Sequence, residues 1–134
     1  MSAPDHTEVD LAELVAAARA ARAHAYCPYS GFSVGAALRA TSGALYTGCN
    51  VENASYGATL CAERVAVACM VASGDRAITA MAIYTDVEPP AMPCGLCRQV
   101  LSEFGRGMLI VVAGPKSSRQ TSLAALLPEP FVLE

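Results

Sequence analysis

The sequence has no tryptophan, few aromatic residues and few charged ones, and these scarcities limit the classes of protein it can represent. Aromatic residues make up 6% and charged residues 16% of its 134 residues, and the formal net charge is -3 at pH 7. It has no run of lysines or arginines, whereas binding a nucleic-acid backbone requires a clustered positive surface. We therefore expect no nucleic-acid partner.

Long apolar runs are also missing. A membrane-spanning helix needs about 18 or more apolar residues in succession, and residues 1–10 lack the basic start and apolar core of a secretion signal. We expect no membrane partner and a cytoplasmic location. In that reducing compartment the six cysteines are expected to be thiols or metal ligands rather than disulfides.

Hydrophobic periodicity and turn residues predict one α/β domain spanning residues 1–134. Two early strands separated by a short turn form a hairpin, and later strands alternate with helices, which predicts parallel pairing there. We expect a mixed sheet covered by helices on both faces, with Asp10 as the N-cap of the first helix. Helices are predicted at residues 9–23, 61–72, 94–104 and 121–127, and strands at 32–38, 44–49, 77–84 and 108–113.

Two short cysteine clusters, CAER at residues 61–64 and PCGLC at 93–97, carry the main chemical signal. Three thiols leave the fourth position of a tetrahedral Zn²⁺ open to water, which is typical of catalytic rather than structural zinc. Both clusters begin predicted helices, whose unpaired N–H groups stabilise thiolates. We predict one Zn²⁺ per chain, bound by Cys61, Cys94 and Cys97, with Glu63 beside it as the proton carrier.

The two clusters are similar to the zinc nucleobase deaminase signature, Cys-x-Glu followed by Pro-Cys-x-x-Cys. Three other segments extend the likeness: YSGFSVGAAL at 29–38, GCNVENASY at 48–56, and LLP at 126–128 with Phe131. Over about residues 25–131 the chain resembles the cytidine deaminase family, in its small homotetrameric class with three cysteines.

The resemblance implies a hydrolase with a mixed five-stranded sheet sandwiched between helices. The implied reaction is zinc-dependent deamination of cytidine and deoxycytidine to uridine and deoxyuridine, with release of ammonia, in pyrimidine salvage. In that reaction Glu63 would take a proton from water, deliver it to N3 of the pyrimidine and later help protonate the ammonia. The homotetramer is likewise implied by the resemblance.

The same resemblance assigns substrate contacts. Asn50 and Glu52, two residues apart on an extended segment, can face one side and would bind the ribose. Arg64 would draw charge from the thiolates and restore the acidity of the zinc ion, with a solvated helix arginine as the alternative. Tyr56 would line the site or be structural. The remaining assignments are Phe32 against the base, the backbone of Ala62 at the base edge, and Phe131 in a neighbouring subunit's pocket.

Two other functions compete with this interpretation. A deaminase of a modified cytosine nucleoside, of the blasticidin S type, would share the metal motifs. A non-catalytic structural zinc protein would need a fourth protein ligand, and no spaced histidine or fourth cysteine supplies one. Cys27, Cys49 and Cys69 lack ligand spacing and are expected to be small buried hydrophobic residues, and neither His6 nor His24 is expected to bind metal.

Overall fold

The computed structural model describes residues 6–133, and the side chains of residues 11–133. Within that range the chain forms one five-stranded sheet with four α-helices and a 3₁₀ turn. In chain order the elements are α1 (His6–Arg22), β1 (Val34–Ala40), β2 (Leu45–Cys49), the 3₁₀ turn (Tyr56–Ala58), α2 (Ala62–Ala72), β3 (Ile78–Thr85), α3 (Gly95–Ser102), β4 (Leu109–Ala113), β5 (Ser118–Ser122) and α4 (Leu123–Leu126).

The sheet is mixed, with strand order β2-β1-β3-β4-β5. β3 and β4 pair in parallel and the other three neighbouring pairs are antiparallel. The β3–β4 crossover contains α3, so the strand–helix–strand pattern in the sequence correctly predicted a parallel pair. The predicted fold class, a mixed five-stranded sheet with helices, is confirmed.

Helices cover both faces because successive residues of a strand point to opposite sides of the sheet. α1 packs on one face through Leu14 and Ala18, which lie in an apolar cluster with Ala37 of β1. The other face packs against α2 and α3, with Met70 and Leu101 in a second cluster. Alanines make up much of the first cluster, whereas larger Leu, Ile, Met and Val side chains dominate the second.

Gly48 on β2 brings the beginning of α2 directly onto the sheet. A Cβ atom at this position would lie 2.5 Å from the carbonyl oxygen of Ala62 and 2.6 Å from the amide nitrogen of Ala66. Real Cβ atoms do not approach backbone atoms that closely, so only glycine allows this packing. The first turn of α2, which follows Cys61, is therefore fixed by the sheet.

Several sequence predictions need correction. β5 was not predicted from hydrophobic patterning, because its sequence, SRQTS, contains no apolar residue. Asp10 is not an N-cap, since α1 already begins at His6. β1 begins at Val34 rather than at residue 32. Cys69 is exposed, and Cys27 and Cys49 are only partly buried.

Candidate metal centre and active site

Three thiols meet where α2 and α3 begin. Cys61 is the N-cap residue of α2, Cys94 is the N-cap residue of α3, and Cys97 lies in the first turn of α3. The Cys94 sulfur accepts a hydrogen bond from the Cys97 backbone N–H at 3.5 Å. All three Sγ atoms lie within 4.8 Å of one another. The packing of two helix N-termini thus brings together thiols that are 33 residues apart in sequence.

The spacing of the sulfurs fits a zinc ion. Thiolates at about 2.3 Å from zinc in tetrahedral geometry lie about 3.8 Å apart, and the Sγ atoms of Cys61 and Cys94 are 3.8 Å apart. Soft thiolate ligands select zinc over the hard cations Mg²⁺ and Ca²⁺. Among the described residues this is the one group of three or more metal-binding side chains, and it holds no fourth ligand.

Arg64 lies against this centre rather than in solvent. Its Nη2 donates hydrogen bonds to the Cys61 sulfur at 3.5 Å and to the Thr59 carbonyl at 3.2 Å. Its Nε is buried and has no hydrogen-bond partner among the described residues. The guanidinium therefore lies where it can offset the negative charge of thiolates.

The thiols of Cys61 and Cys97 differ in their pKa. The pKa of Cys61 falls to about 5, first because the Cys97 thiol donates a hydrogen bond to it and then because Arg64 does. The pKa of Cys97 is raised because its proton is held by Cys61 and because the thiol is buried. The site stabilises a thiolate at Cys61 even before a metal binds.

Among the described residues, Glu63 is the one acidic side chain buried next to the thiols. It lies in the first turn of α2 and is only 4% exposed. Burial is the main cause that raises the pKa of its carboxyl group. Because Glu63 is not one of the clustered metal-binding groups, its carboxyl remains available for proton transfer.

A cavity of about 220 Å³ opens beside the thiols. Cys61, Cys94 and Glu63 form its polar wall, and Ala62 is buried beneath it. The other residues of the cavity come from the beginning of β1 and the chain just before it, the loop before α2, the last residue of β3 and the β3–α3 loop. They are Phe32, Val34, Asn50, Thr59, Leu60, Thr85, Ala91 and Met92.

Asn50 lines the cavity and also holds the chain at the beginning of β1. Its Nδ2 donates a hydrogen bond to the Phe32 carbonyl at 2.7 Å, and its Oδ1 accepts one from the Val34 N–H at 2.9 Å. These two bonds replace ladder bonds at the beginning of β1, which explains why the strand begins two residues later than predicted. Asn50 therefore fixes the position of Phe32 in the cavity wall.

Glu52 lies in an adjoining cavity of about 340 Å³ that shares Thr59 with the first. Its Oε1 accepts hydrogen bonds from the backbone N–H groups of Tyr29 and Ser30 at 3.0 and 3.1 Å, and its Oε2 is bonded to the Ser30 hydroxyl. The bond from that hydroxyl is the main reason that the pKa of Glu52 is lowered. Tyr56 lies in the same cavity, with its ring 6.3 Å from that of Tyr29.

Phe131 lines neither of these two cavities. It is 72% exposed, and its backbone exchanges two hydrogen bonds with the Gln99 side chain. Its insertion into a neighbouring subunit stays a prediction. Arg98 donates hydrogen bonds to the carbonyls of Pro93 and Leu126, so Arg98 and Gln99 both brace the fold.

Sequence reasoning missed part of the cavity wall. Thr85 ends β3, and Ala91 and Met92 lie in the loop just before PCGLC. None of them belongs to a motif, and an apolar loop residue looks the same in sequence whether or not it faces a ligand. Their position beside a metal ligand was the only available signal.

Three clustered thiols that fit a zinc ion, a buried carboxyl group and a cavity that joins them define the site of a metal-dependent hydrolytic enzyme. The family model described as "Cytidine and deoxycytidylate deaminase zinc-binding region" matches residues 9–113. The chain therefore belongs to the cytidine and deoxycytidylate deaminase family, and the metal of its three-cysteine centre is zinc.

Related proteins agree with this assignment. The chain is 45% identical over 128 residues to a cytidine deaminase of Sporosarcina psychrophila, with 94% of each chain covered. It superimposes on a crystal structure of cytidine deaminase from Burkholderia pseudomallei with a TM-score of 0.86 at 45% identity, covering 90% of this chain and 98% of that one. The Mycobacterium tuberculosis enzyme gives 0.81 at 44%, covering 92% and 98%. No helix in the described residues is long and apolar enough to cross a membrane.

Proposed function

We propose that this chain catalyses the hydrolytic deamination of cytidine and deoxycytidine to uridine and deoxyuridine, with release of ammonia, in pyrimidine salvage. The observation that carries the proposal is the buried Glu63 carboxyl group next to the Cys61 ligand in the wall of one cavity. Membership of the family and the names of the relatives support the choice of substrate.

Each residue of the centre has a defined task in this reaction. Cys61, Cys94 and Cys97 would hold Zn²⁺, which supplies the Lewis acidity that makes water a nucleophile near neutral pH. Glu63 would accept a proton from the attacking water, deliver it to N3 of the ring, and later help protonate the amine that leaves C4. The C4–O bond forms and the C4–N bond breaks, so one water is consumed and one ammonia is released. One carboxyl group can do both because the transfers are sequential.

The charges around the two cavities favour a nucleoside over a nucleotide. Their described lining residues include two acids, Glu63 and Glu52, and no lysine or arginine. A 5′-phosphate is normally bound by cationic donors and is repelled by a carboxylate. We therefore propose that cytidine and deoxycytidine are substrates and that deoxycytidylate is a poor one.

The test is a substrate panel with two readouts, ultraviolet absorbance and ammonia release. The panel contains cytidine, deoxycytidine, deoxycytidylate and blasticidin S, each with and without a zinc chelator. We expect chelator-sensitive turnover of the first two. Turnover of blasticidin S alone would replace the proposal by the modified-nucleoside function, and bound zinc without ammonia from any substrate would indicate a structural zinc protein.

We also propose a homotetramer and a cytoplasmic location. The tetramer is proposed from the resemblance to the small three-cysteine class. The location is supported by the six cysteines, all of which are free thiols, as is typical of a reducing compartment. Light scattering coupled to size-exclusion chromatography measures the subunit number, and a mass near that of a single 13.8 kDa chain would contradict the tetramer.

A further inference from the structure

Glu88 lies outside both cavities, in the loop that joins β3 to α3, yet its carboxylate reaches the turn between β4 and β5. Its Oε1 accepts hydrogen bonds from the backbone N–H groups of Lys116 and Ser117 at 2.7 and 3.1 Å, and its Oε2 is bonded to the Ser117 hydroxyl. These three bonds connect segments that are 28 and 29 residues apart. We call this set of contacts the Glu88 latch.

The loop held by the latch builds one side of the active site. Thr85, at its beginning, and Ala91 and Met92, near its end, line the cavity beside the thiols. The loop then runs directly into Cys94, a metal ligand. A shift of this loop would therefore move the cavity wall relative to the bound substrate.

Little else holds the middle of the loop. Apart from the latch, residues 87–92 of the described chain have the hydrogen bond that the Ala91 N–H donates to the Thr85 hydroxyl, which is long at 3.4 Å and lies within the same loop. Pro89 and Pro90 have no backbone N–H to donate. The Glu88 side chain thus supplies hydrogen bonds to the β4–β5 turn in a part of the loop where the prolines can donate none.

The other half of the contact is shaped to receive the loop. A Cβ atom at Gly114 would lie 2.5 Å from the Val87 carbonyl oxygen and 2.7 Å from Oε1 of Glu88. Glycine at the end of β4 is therefore required for the close approach of the two segments. The close packing at Gly114 and the hydrogen bonds of Glu88 therefore both hold the β3–α3 loop against the β4–β5 turn.

We propose that Glu88 is a positioning residue for deamination, whose latch to the β4–β5 turn holds the Ala91–Met92 wall of the cavity in register with the bound nucleoside. The inference rests on the proposed function for its kinetic consequence, whereas the latch itself can be measured without substrate.

The experiment compares Glu88→Ala, which removes all three contacts, with Glu88→Gln, whose amide oxygen still accepts from both N–H groups. Glu103→Ala changes an exposed acid at the end of α3 and is the matched control. We expect Glu88→Ala to raise KM for cytidine about fivefold or more with a smaller change in kcat, since misplacement of a wall weakens binding. Zinc content should not change. Glu88→Gln and Glu103→Ala should behave like the wild type.

A purely structural role would lower the active fraction, and with it kcat, without raising KM. Unchanged KM in a folded, zinc-loaded Glu88→Ala variant would overturn the proposal. Should that variant fail to fold, Ser117→Ala, which removes only the hydroxyl contact, is expected to raise KM about twofold by loss of one hydrogen bond of the set. An unchanged KM in Ser117→Ala would then overturn it.

Hydrogen exchange separates failure of the latch from failure of the function. Glu88→Ala should accelerate exchange at the amides of Lys116, Ser117 and residues 86–88 and 91–92, and Glu88→Gln should not, whatever the substrate. If the wild-type chain releases no ammonia from cytidine while this difference is observed, the proposed function is wrong and the latch is correct. Equal exchange in the two variants would overturn the latch.

Discussion

At the scale of single residues, the site assigns different tasks to neighbouring side chains: the cysteine sulfurs can hold the metal, and the Glu63 carboxyl group lines the cavity. Glu63 follows Cys61 by two positions, so its carboxyl group lies near the sulfur without joining the thiol cluster. A carboxylate in the first turn of a helix would ordinarily be solvated, but this one is buried. Removing the carboxyl while keeping the metal is therefore the sharpest test of catalysis.

We predict that Glu63→Ala folds, binds zinc and loses nearly all turnover, with kcat lower by about 10²–10⁴-fold, because no other described acid is buried beside the thiols to move the proton. Metal analysis and steady-state assays on cytidine measure the two effects. Glu103→Ala serves as the control, since that residue lies at the far end of α3. Near-normal activity in Glu63→Ala would remove Glu63 from its proposed role.

Arg64 is expected to act on the thiolates rather than on substrate. Replacing its guanidinium in Arg64→Gln removes the hydrogen bond to the Cys61 sulfur, and loss of such a partner weakens metal binding or activity by about 10–100-fold. Zinc affinity from competition with a chelating dye and kcat from the cytidine assay measure the effect. Arg106→Gln, at an exposed position, should change neither, and an unaltered Arg64→Gln would contradict the charge-tuning role.

The sequence predicted the positions of the cysteines better than those of the substrate-binding candidates. Spacing predicted Cys61, Cys94 and Cys97 as metal ligands, and the structure brings their sulfur atoms within 4.8 Å of one another. Asn50 and Glu52 were expected to bind the ribose together, and they line two adjoining cavities where each also hydrogen-bonds the backbone of its own chain. Their contact with a ribose stays a prediction. Spacing along a strand gives the direction of a side chain and not the partner it meets across the fold.

At the scale of secondary structure elements, the position of α2 on β2 controls the metal centre. Cys61 and Glu63 lie at the helix beginning that rests on Gly48. Any side chain on that glycine must push the helix away from the sheet, and the ligand and the acid would move with it.

We predict that Gly48→Ala destabilises the fold by about 1–3 kcal/mol, the usual cost of overpacking, and weakens zinc binding as well. Gly57→Ala is the matched control because a Cβ atom there would meet no atom within 4 Å. Denaturant unfolding and zinc titration measure both properties. A Gly48→Ala variant with wild-type stability and zinc affinity would show that α2 is not held by this contact.

Elements with an apolar face were predictable and those without one were not. The helices and the four apolar strands follow from burial, since a buried face requires periodic hydrophobic residues. β5 forms because the edge of β4 offers unpaired backbone groups, and the backbone of SRQTS can satisfy them with any side chain. Its pairing depends on tertiary context, which a local sequence pattern does not contain.

At the scale of the whole molecule, a zinc ion held by the three cysteines would connect α2 and α3, which lie on either side of β3 in the chain. A ligand that binds only the folded state stabilises it by mass action, by about 2.7 kcal/mol at a free concentration 100 times its Kd. A zinc site shared between α2 and α3 therefore contributes to global stability as well as to chemistry.

We predict that a strong chelator lowers Tm by several degrees and abolishes deamination, and that added zinc restores both. Cys97→Ala should unfold at a lower temperature and no longer respond to the chelator. Cys69→Ala, which changes an exposed thiol outside the cluster, should respond like the wild type. Calorimetry measures the transitions, and a Tm of zinc-loaded wild-type protein that does not fall when the chelator removes the zinc would contradict a stabilising role for the metal.

β5 forms one outer border of the sheet, and its residues carry hydroxyl, guanidinium and amide groups where an apolar strand would carry valine or isoleucine. A bare strand border is a template on which further chains can add in register and grow into fibrils, and polar residues there discourage such growth. We expect concentrated solutions of this alanine-rich protein to resist amyloid-like aggregation at that border. Even at high protein concentration, no strand of another copy would then add to the five-stranded sheet at β5.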